Sequence, residues 1–298
     1  MYSLTILMSI ALLLCSYSYP MEKPQEKRSL TFLENSLIGA SAGACEVTIV
    51  GQMLQAIKNR LQAGTHTSAS DVTNKTVMSL LKQLYKGYGV NVASMAPITA
   101  IQVGTNGLLS PYLNGSDTQK TGAAFIAGAT SALASSPADM LVIQQGHVVK
   151  DTLSRTLKEI FDIHNPLSYS NLKKLFRGLT PTAIRDGGFT IGYITLGDIL
   201  KRYLGIDTGS HLGDAITTGI PAGLVAGTLT HPFDTISTAL KRDLSKKLYK
   251  NSLDAAVNIA REKGTKELFK GLTPRTTRIA AAIPLLSYVK ATLEEHLK

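Results

Sequence analysis

Leu175-Phe176-Arg177-Gly178 decides the fold of this chain, because the same short tag occurs at two other places. The other copies are Leu84-Tyr85-Lys86-Gly87 and Leu268-Phe269-Lys270-Gly271, so the three tags stand 91 and 93 residues apart. Each tag opens an apolar stretch of about 20 residues, which is long enough to cross a bilayer as a helix. The spacing therefore indicates a threefold internal repeat.

A second landmark lies upstream of two of the tags. Pro137-Ala138-Asp139 and Pro232-Phe233-Asp234 each close another apolar, glycine-rich segment, and Met53-Leu54-Gln55 stands at the corresponding place in the first repeat. Each repeat is thus predicted to contain a first helix that ends in a kink, a polar loop, the tag and a second helix. Small residues recur every four positions in the first helix of each repeat, which predicts close contacts between helices. These residues are Gly39, Gly43, Ala124, Gly128, Ala132, Gly219, Gly223 and Gly227.

This pattern resembles the mitochondrial carrier family, whose odd helices end on P-x-[DE]-x-x-[KR]-x-[KR] and whose even helices begin after [LF]-[FY]-[KR]-G. The resemblance runs from about Leu33 to Leu297 and is most specific at 175–186, 230–234 and 268–278. It implies an all-α membrane protein with six transmembrane helices in three pseudo-threefold repeats, at 31–115, 116–208 and 209–298. The six helices are expected at 33–61, 89–109, 122–149, 180–204, 212–240 and 273–297.

Residues 1–30 precede the first repeat, and two interpretations of them stay open. The apolar run 4–14 is similar to the core of a signal peptide or an anchor, although no Lys or Arg comes before it. Alternatively, Met21 is the true start, since the residues after it form an ordinary polar lead into the first helix.

The net charge of +10 narrows the class of partner. It fits loops on the positive side of a membrane and contacts with anionic lipid headgroups, or a pathway that attracts anionic solutes. The basic residues are scattered and the chain has no Trp, which argues against nucleic-acid binding. No nucleotide-binding loop, nucleophile motif or metal-ligand spacing is present, so we expect no enzyme activity, no cofactor and no metal site.

Charged and polar residues inside apolar helices are the candidates for solute binding, because they are costly in a membrane. Ser94, Arg185 and Arg278 each lie seven residues after a tag glycine. By resemblance these positions contact the solute in one central cavity, together with Asp186 and Glu46. An Arg–Asp pair is similar to that of carriers of amino acids and related zwitterions. The alternative is that Arg185–Asp186 and Arg278–Glu46 are internal ion pairs that only neutralise buried charges.

The resemblance also implies two gates. The matrix gate would pair Asp139 with Ser237 and Asp234 with Lys58, so that one full ion pair survives. Gln55 replaces an acid in this gate, and Gln62 matches a glutamine that braces a gate pair. The opposite, cytoplasmic gate retains its charges only on the fourth helix, as Asp198 and Lys201.

The function implied is transport of a small anionic or zwitterionic metabolite, amino-acid-like or nucleotide, across the mitochondrial inner membrane by alternating access. The expected partners are this solute and membrane lipids, with cardiolipin at the matrix-side helix N-termini, and the expected state is a monomer. Because the gate motifs are degenerate, a different function stays open. In that alternative the protein is a carrier-like scaffold, insertion factor or fusion factor of the mitochondrial outer membrane and transports no solute.

Overall fold

The structure is a computed structural model that describes residues 29–51, 88–113, 115–147, 168–244, 246–262 and 264–297. These residues are helical, with no strand among them. The α-helices are α1 (Phe32–Glu46), α2 (Tyr88–Leu109), α3 (Asp117–His147), α4 (Tyr169–Leu175), α5 (Leu179–Ile191), α6 (Gly197–Leu204), α7 (His211–Arg242), α8 (Ser252–Glu262) and α9 (Leu272–Leu297). Turns of π-helix, Val47–Gly51 and Gly192–Leu196, follow α1 and join α5 to α6.

The helix positions agree with the sequence prediction to within a few residues where the chain is described. The predicted second, third, fifth and sixth helices correspond to α2, α3, α7 and α9, and the predicted fourth helix corresponds to α5, the π turn and α6. The C-terminal part of the first predicted helix, from residue 52, lies outside the described residues. The all-α prediction is therefore confirmed.

The tag glycines have a conformational role that explains their place in the repeat. Gly178 and Gly271 adopt φ angles of +77° and +83°, in the left-handed region that favours glycine, directly before α5 and α9. These two tags thus turn the chain from a connecting segment into the second helix of their repeats. The tag residue Arg177 is buried and donates to the carbonyl oxygens of Leu240 at 2.7 Å and Tyr249 at 2.8 Å.

Arg177 also pairs with Asp243, which lies in the turn after α7, at 3.2 Å. Burial opposes the charge on this carboxylate. Three backbone N–H groups of residues 247–249, together with the Arg177 guanidinium, nevertheless hold the pKa of Asp243 below its usual value. The tag of the second repeat therefore anchors the C-terminal end of α7, the first long helix of the third repeat.

The helices close into a ring with the symmetry that the repeats imply. The first long helix of each repeat packs along the second long helix of the same repeat. These pairs are α1 with α2, α3 with α5 and α7 with α9. Neighbouring pairs then meet through α2 and α3, α5 and α7, and α9 and α1. Large apolar side chains such as Leu133, Leu224 and Leu229 are exposed on the outside of this ring, as expected for a surface that faces lipid.

Among the described residues, Asp117–Gln144 of α3 is the one segment long and apolar enough to cross a membrane by length and composition. The other long helices carry charged or polar side chains along their length, which lowers their mean hydropathy. The count of six spans consequently stays a prediction.

The predicted small-residue contacts lie between the paired helices. A Cβ added to Gly39 would come 2.3 Å from the backbone oxygen of Thr99, and one added to Gly223 would come 2.6 Å from the Cα of Ala280. At Gly128 the added atom would come 2.4 Å from the backbone oxygen of Asp186. These distances leave no space for a side chain, so the helix backbones approach each other directly.

We expect Gly128→Ala to lower the melting temperature of the purified protein, because α3 would be pushed away from α5. Overpacking of this kind costs about 1–3 kcal/mol. Gly122→Ala is the matched control, since a Cβ at Gly122 on the same helix meets no described atom within 4 Å. Alanine is also the better helix former there. Circular dichroism at rising temperature measures both variants, and equal melting temperatures would contradict the predicted contact.

Candidate functional site

Six charged side chains gather where α3, α5, α7 and α9 meet. They are Asp139, Asp186, Asp234, Arg185, Lys241 and Arg275. The three carboxylates and three cations balance each other in charge. Buried charges are tolerated when they are paired in this way, and removal of one partner is costly.

Arg185 of α5 is the centre of this charge cluster. Its Nη1 lies 2.8 Å from Oδ2 of Asp139 on α3 and 3.1 Å from Oδ1 of Asp234 on α7. Its Nε lies 2.8 Å from Oδ1 of Asp186, and the hydroxyl of Ser135 donates to the other oxygen of that carboxylate. One guanidinium therefore connects three helices. Arg185 was predicted as a solute contact, and the structure places it directly on the predicted gate aspartates.

The partner of Asp139 differs from the prediction. Ser237 Oγ lies 2.7 Å from Oγ1 of Thr182, whereas Oδ2 of Asp139 lies 3.2 Å from Nζ of Lys241. Lys241 follows Ser237 by four residues, about one helical turn, so both side chains face the same side of α7. An ammonium is the stronger partner for a carboxylate than a hydroxyl is. The predicted Asp139–Ser237 pairing is thus wrong.

Lys241 is fully buried and also donates to Oγ1 of Thr182 at 2.9 Å. The fifth helix is predicted to end at residue 240, which places Lys241 in the polar loop that follows. In the structure α7 continues to Arg242 and turns Lys241 inward. Its position one turn after Ser237 was the signal that could have identified it.

Arg275 of α9 is a second cation that the sequence analysis missed. Its Nε lies 3.4 Å from Oδ2 of Asp234, and its Nη1 donates to the carbonyl oxygen of Gly227 at 2.9 Å and to Thr230 at 3.1 Å. Arg275 lies four residues after the tag glycine Gly271, one turn before Arg278. An arginine in an apolar helix was the available signal. Asp139 and Asp234 both have ionic partners that the gate motif did not predict, and the predicted Asp234–Lys58 pair includes a residue outside the described part of the chain.

Glu46 and Arg278 lie on α1 and α9, outside the charge cluster. The Glu46 carboxylate is fully buried, and Arg278 is close enough to act on it electrostatically. Neither Glu46 oxygen has a hydrogen-bond partner among the described residues. Ser94 lies on α2 and is half-buried. The gate candidates Gln55, Lys58 and Gln62 lie outside the described residues.

The two predicted cytoplasmic-gate residues lie on α6, at the opposite ends of α5 and α7 from the charge cluster. Asp198 and Lys201 line a cavity of about 710 Å³ together with Lys120, Arg202 and Lys290. Lys201 forms an ion pair with Asp214 in the first turn of α7, and Arg202 forms one with Asp117 in the first turn of α3. Both aspartates stand where a helix N-terminus favours negative charge. These ion pairs connect α6 to the first turns of α3 and α7.

A neutral hydrogen-bond chain connects the helices between these two charged regions. Tyr193 donates to Gln102 at 3.0 Å, Gln102 donates to Ser131 at 3.0 Å, and all three side chains are buried. The chain joins the π turn after α5 to α2 and α3. No sequence motif marked these residues, because each is an isolated polar position in an apolar helix.

Comparison with known proteins agrees with this architecture. The sequence model of the mitochondrial carrier protein family matches residues 28–117 and 209–297, together more than half of the chain. The glutamate/glycine mitochondrial carrier of Schizosaccharomyces pombe is 27% identical over 88% of this chain and 94% of that protein. The mitochondrial 2-oxoglutarate/malate carrier protein of Bos taurus is 26% identical over 85% of this chain and 86% of that protein.

A mitochondrial 2-oxodicarboxylate carrier of Saccharomyces cerevisiae is 26% identical over 89% of this chain and 93% of that protein. The similarity therefore extends over nearly the whole length of these relatives. With the family match, the repeated tags and the ring of paired helices, this chain belongs to the mitochondrial carrier family, whose members are transporters and not enzymes.

Proposed function

We propose that the protein moves a small metabolite with at least one carboxylate group across the mitochondrial inner membrane by alternating access. The observation that carries the proposal is the position of Arg185. A single nitrogen of its guanidinium binds Asp139 of α3 and Asp234 of α7, and the Arg185 side chain is still 15% exposed. A ligand that competes for this nitrogen would therefore weaken the connection between α3 and α7.

Competition gives binding a direct mechanical effect. Guanidinium binds carboxylates through paired, charge-assisted hydrogen bonds, so a solute carboxylate can replace an aspartate on Arg185. Each replacement removes one connection that holds α3 and α7 together at this end of the ring. A ligand shifts a conformational equilibrium only through its different affinity for the two states, and this replacement supplies such a difference. The remaining ion pairs, Asp139–Lys241 and Asp234–Arg275, then set how far the helices separate.

The chemistry of the site favours a dicarboxylate over an amino acid. Both oxygens of Asp186 are already bound, to Arg185 and Ser135, so Asp186 does not offer a ready partner for an ammonium group. The predicted solute contacts also include two arginines, Arg185 and Arg278, and a guanidinium group suits the binding of a carboxylate. The names of the relatives above include 2-oxoglutarate, malate and 2-oxodicarboxylates, which are dicarboxylates, and also glutamate and glycine. A nucleotide stays the alternative anion.

A ligand thermostability screen followed by uptake assays tests the proposal. The purified protein is heated with dicarboxylates, amino acids, nucleotides and phosphate in turn, and a ligand at 100 times its Kd stabilises the native state by about 2.7 kcal/mol. We expect the melting temperature to rise with dicarboxylates, and the same compounds to enter proteoliposomes. Absence of both a shift and uptake for every class would contradict transport and favour the outer-membrane scaffold.

A further inference from the structure

Glu46 is a buried acid whose carboxyl group makes no hydrogen bond to a described residue. Its exposed fraction is 0%, and neither Oε1 nor Oε2 has a hydrogen-bond partner among the described residues. The side chain folds back against the π turn Val47–Gly51, where a Cβ added to Gly51 would come 2.7 Å from Oε1 and 2.9 Å from Oε2. Glycine at this position therefore makes the space that the carboxyl group fills.

Among the described residues, the surroundings of Glu46 offer little to stabilise a negative charge. The packed helix α2 contains no Asp, Glu, Lys, Arg or His between its ends. On α9, Arg278 is the charged residue that acts on Glu46 electrostatically, while Arg275 and Lys290 pair with Asp234 and Glu294. On α1 itself, Glu34 belongs to the N-terminal capping box and Cys45 is the buried neighbour in the chain.

A carboxylate in such a place is costly as an anion and much less costly as a neutral acid. Burial of an ion without hydrogen bonds forfeits its hydration, and one guanidinium that makes no hydrogen bond to it compensates only in part. The π turn adds a second feature, because such turns are irregularities at which helices rearrange and are frequent at functional sites. Movement of α1 against α2 and α9 would change the access of water to this group.

We propose that Glu46 is a proton-binding site that couples proton movement to solute transport, an inference that rests on the proposed transport function. In the conformation described here the carboxyl group holds a proton through an O–H bond on one oxygen. When the helices rearrange, Glu46 meets water on one side of the membrane and releases this proton, and it takes up another from the other side. One proton moves with each solute, and Arg278 stabilises the transient carboxylate.

Infrared difference spectroscopy on the purified protein tests the protonation without any knowledge of the solute. We expect the wild type at neutral pH to show the C=O stretch of a protonated carboxylic acid, shifted in heavy water and absent from Glu46→Gln. Glutamine is nearly isosteric with the protonated acid, so the variant keeps the packing against Gly51. Glu262→Gln is the matched control, because Glu262 is an exposed residue of α8 and its removal leaves the band in place. A wild type without this band would overturn the proposal.

Proteoliposomes with a trapped pH-sensitive dye test the coupling. During malate uptake we expect protons to enter with the solute in the wild type, and the proton-to-solute ratio of Glu46→Gln to fall to zero whatever its uptake rate. Malate uptake with no proton movement in the wild type would overturn the coupling and leave the proposed function intact. Failure of all solute uptake would contradict the proposed function, and the infrared band would still decide the protonation of Glu46.

Discussion

Arg185→Ala is expected to abolish the melting-temperature shift caused by dicarboxylates and to reduce their uptake by about 100-fold or more. Removal of the guanidinium leaves Asp139, Asp186 and Asp234 without their shared partner, and breaking a buried ion pair costs about 3–5 kcal/mol. Truncation of one partner of a buried charge pair costs about 2–5 kcal/mol in binding, and about 3 kcal/mol corresponds to about 100-fold in affinity. Thermal unfolding with and without malate, and uptake into proteoliposomes, measure the two effects.

Controls separate the loss of binding from loss of the fold. Arg261→Ala removes an exposed arginine of α8 that belongs neither to the charge cluster nor to the cytoplasmic-gate cavity. Substitutions of exposed surface residues change the free energy of unfolding little, so this variant should keep both the ligand shift and uptake. Arg185→Lys keeps the charge but has no planar fork, and we expect it to stay folded with weaker binding. A full ligand shift in Arg185→Ala would show that Arg185 does not bind the solute.

Lys241→Met is expected to destabilise the protein by up to about 3 kcal/mol, because it leaves the half-buried Asp139 with less positive charge around it. Methionine has a similar length and no charge, so packing is largely kept. Adding Asp139→Asn restores the balance of charge within the cluster. We therefore expect the double variant Asp139→Asn/Lys241→Met to recover a large part of the lost melting temperature, although it has two changes where the single variant has one.

Three variants measured by circular dichroism complete this test. Asp139→Asn alone should be destabilised as well, since it leaves the cluster with excess positive charge. Lys250→Met, at an exposed lysine after α7, is the matched control and should unfold within about 0.5 kcal/mol of the wild type. Strictly additive losses in the double variant would contradict a direct coupling of Lys241 and Asp139, because residues that interact deviate from additivity.

The prediction of helix positions succeeded for a local reason. The tag glycines Gly178 and Gly271 stand in a left-handed conformation, and helix termini depend on such short-range requirements. The length of the apolar stretch that follows each tag then sets where the second helix of the repeat ends, and the proline landmark marks the end of the first helix. The same reasoning found Arg185, Asp139 and Asp234, because charges within apolar helices stand out in a sequence.

Partner assignments within the charge cluster could not be predicted in the same way. Ser237 and Lys241 lie one turn apart on α7, and which of them contacts Asp139 depends on the rotation of α7 and on how far the helix extends past its apolar residues. Arg275 and Arg278 lie one turn apart on α9, yet they serve different sites, one beside Asp234 and one beside Glu46. Distances between helices decide such choices.

The sequence by itself determined the family, the threefold repeat, the helices and the types of charge that line them, since these follow from periodicity, glycine conformation and the cost of charge in an apolar segment. Only the tertiary structure decided that Arg185 connects α3 and α7 and that Lys241 contacts Asp139. It also decided that Glu46 lies buried without a hydrogen bond to a described residue. The physical reason is that ion pairs form or fail over differences of about 1 Å between helices, and this separation results from packing across all three repeats together.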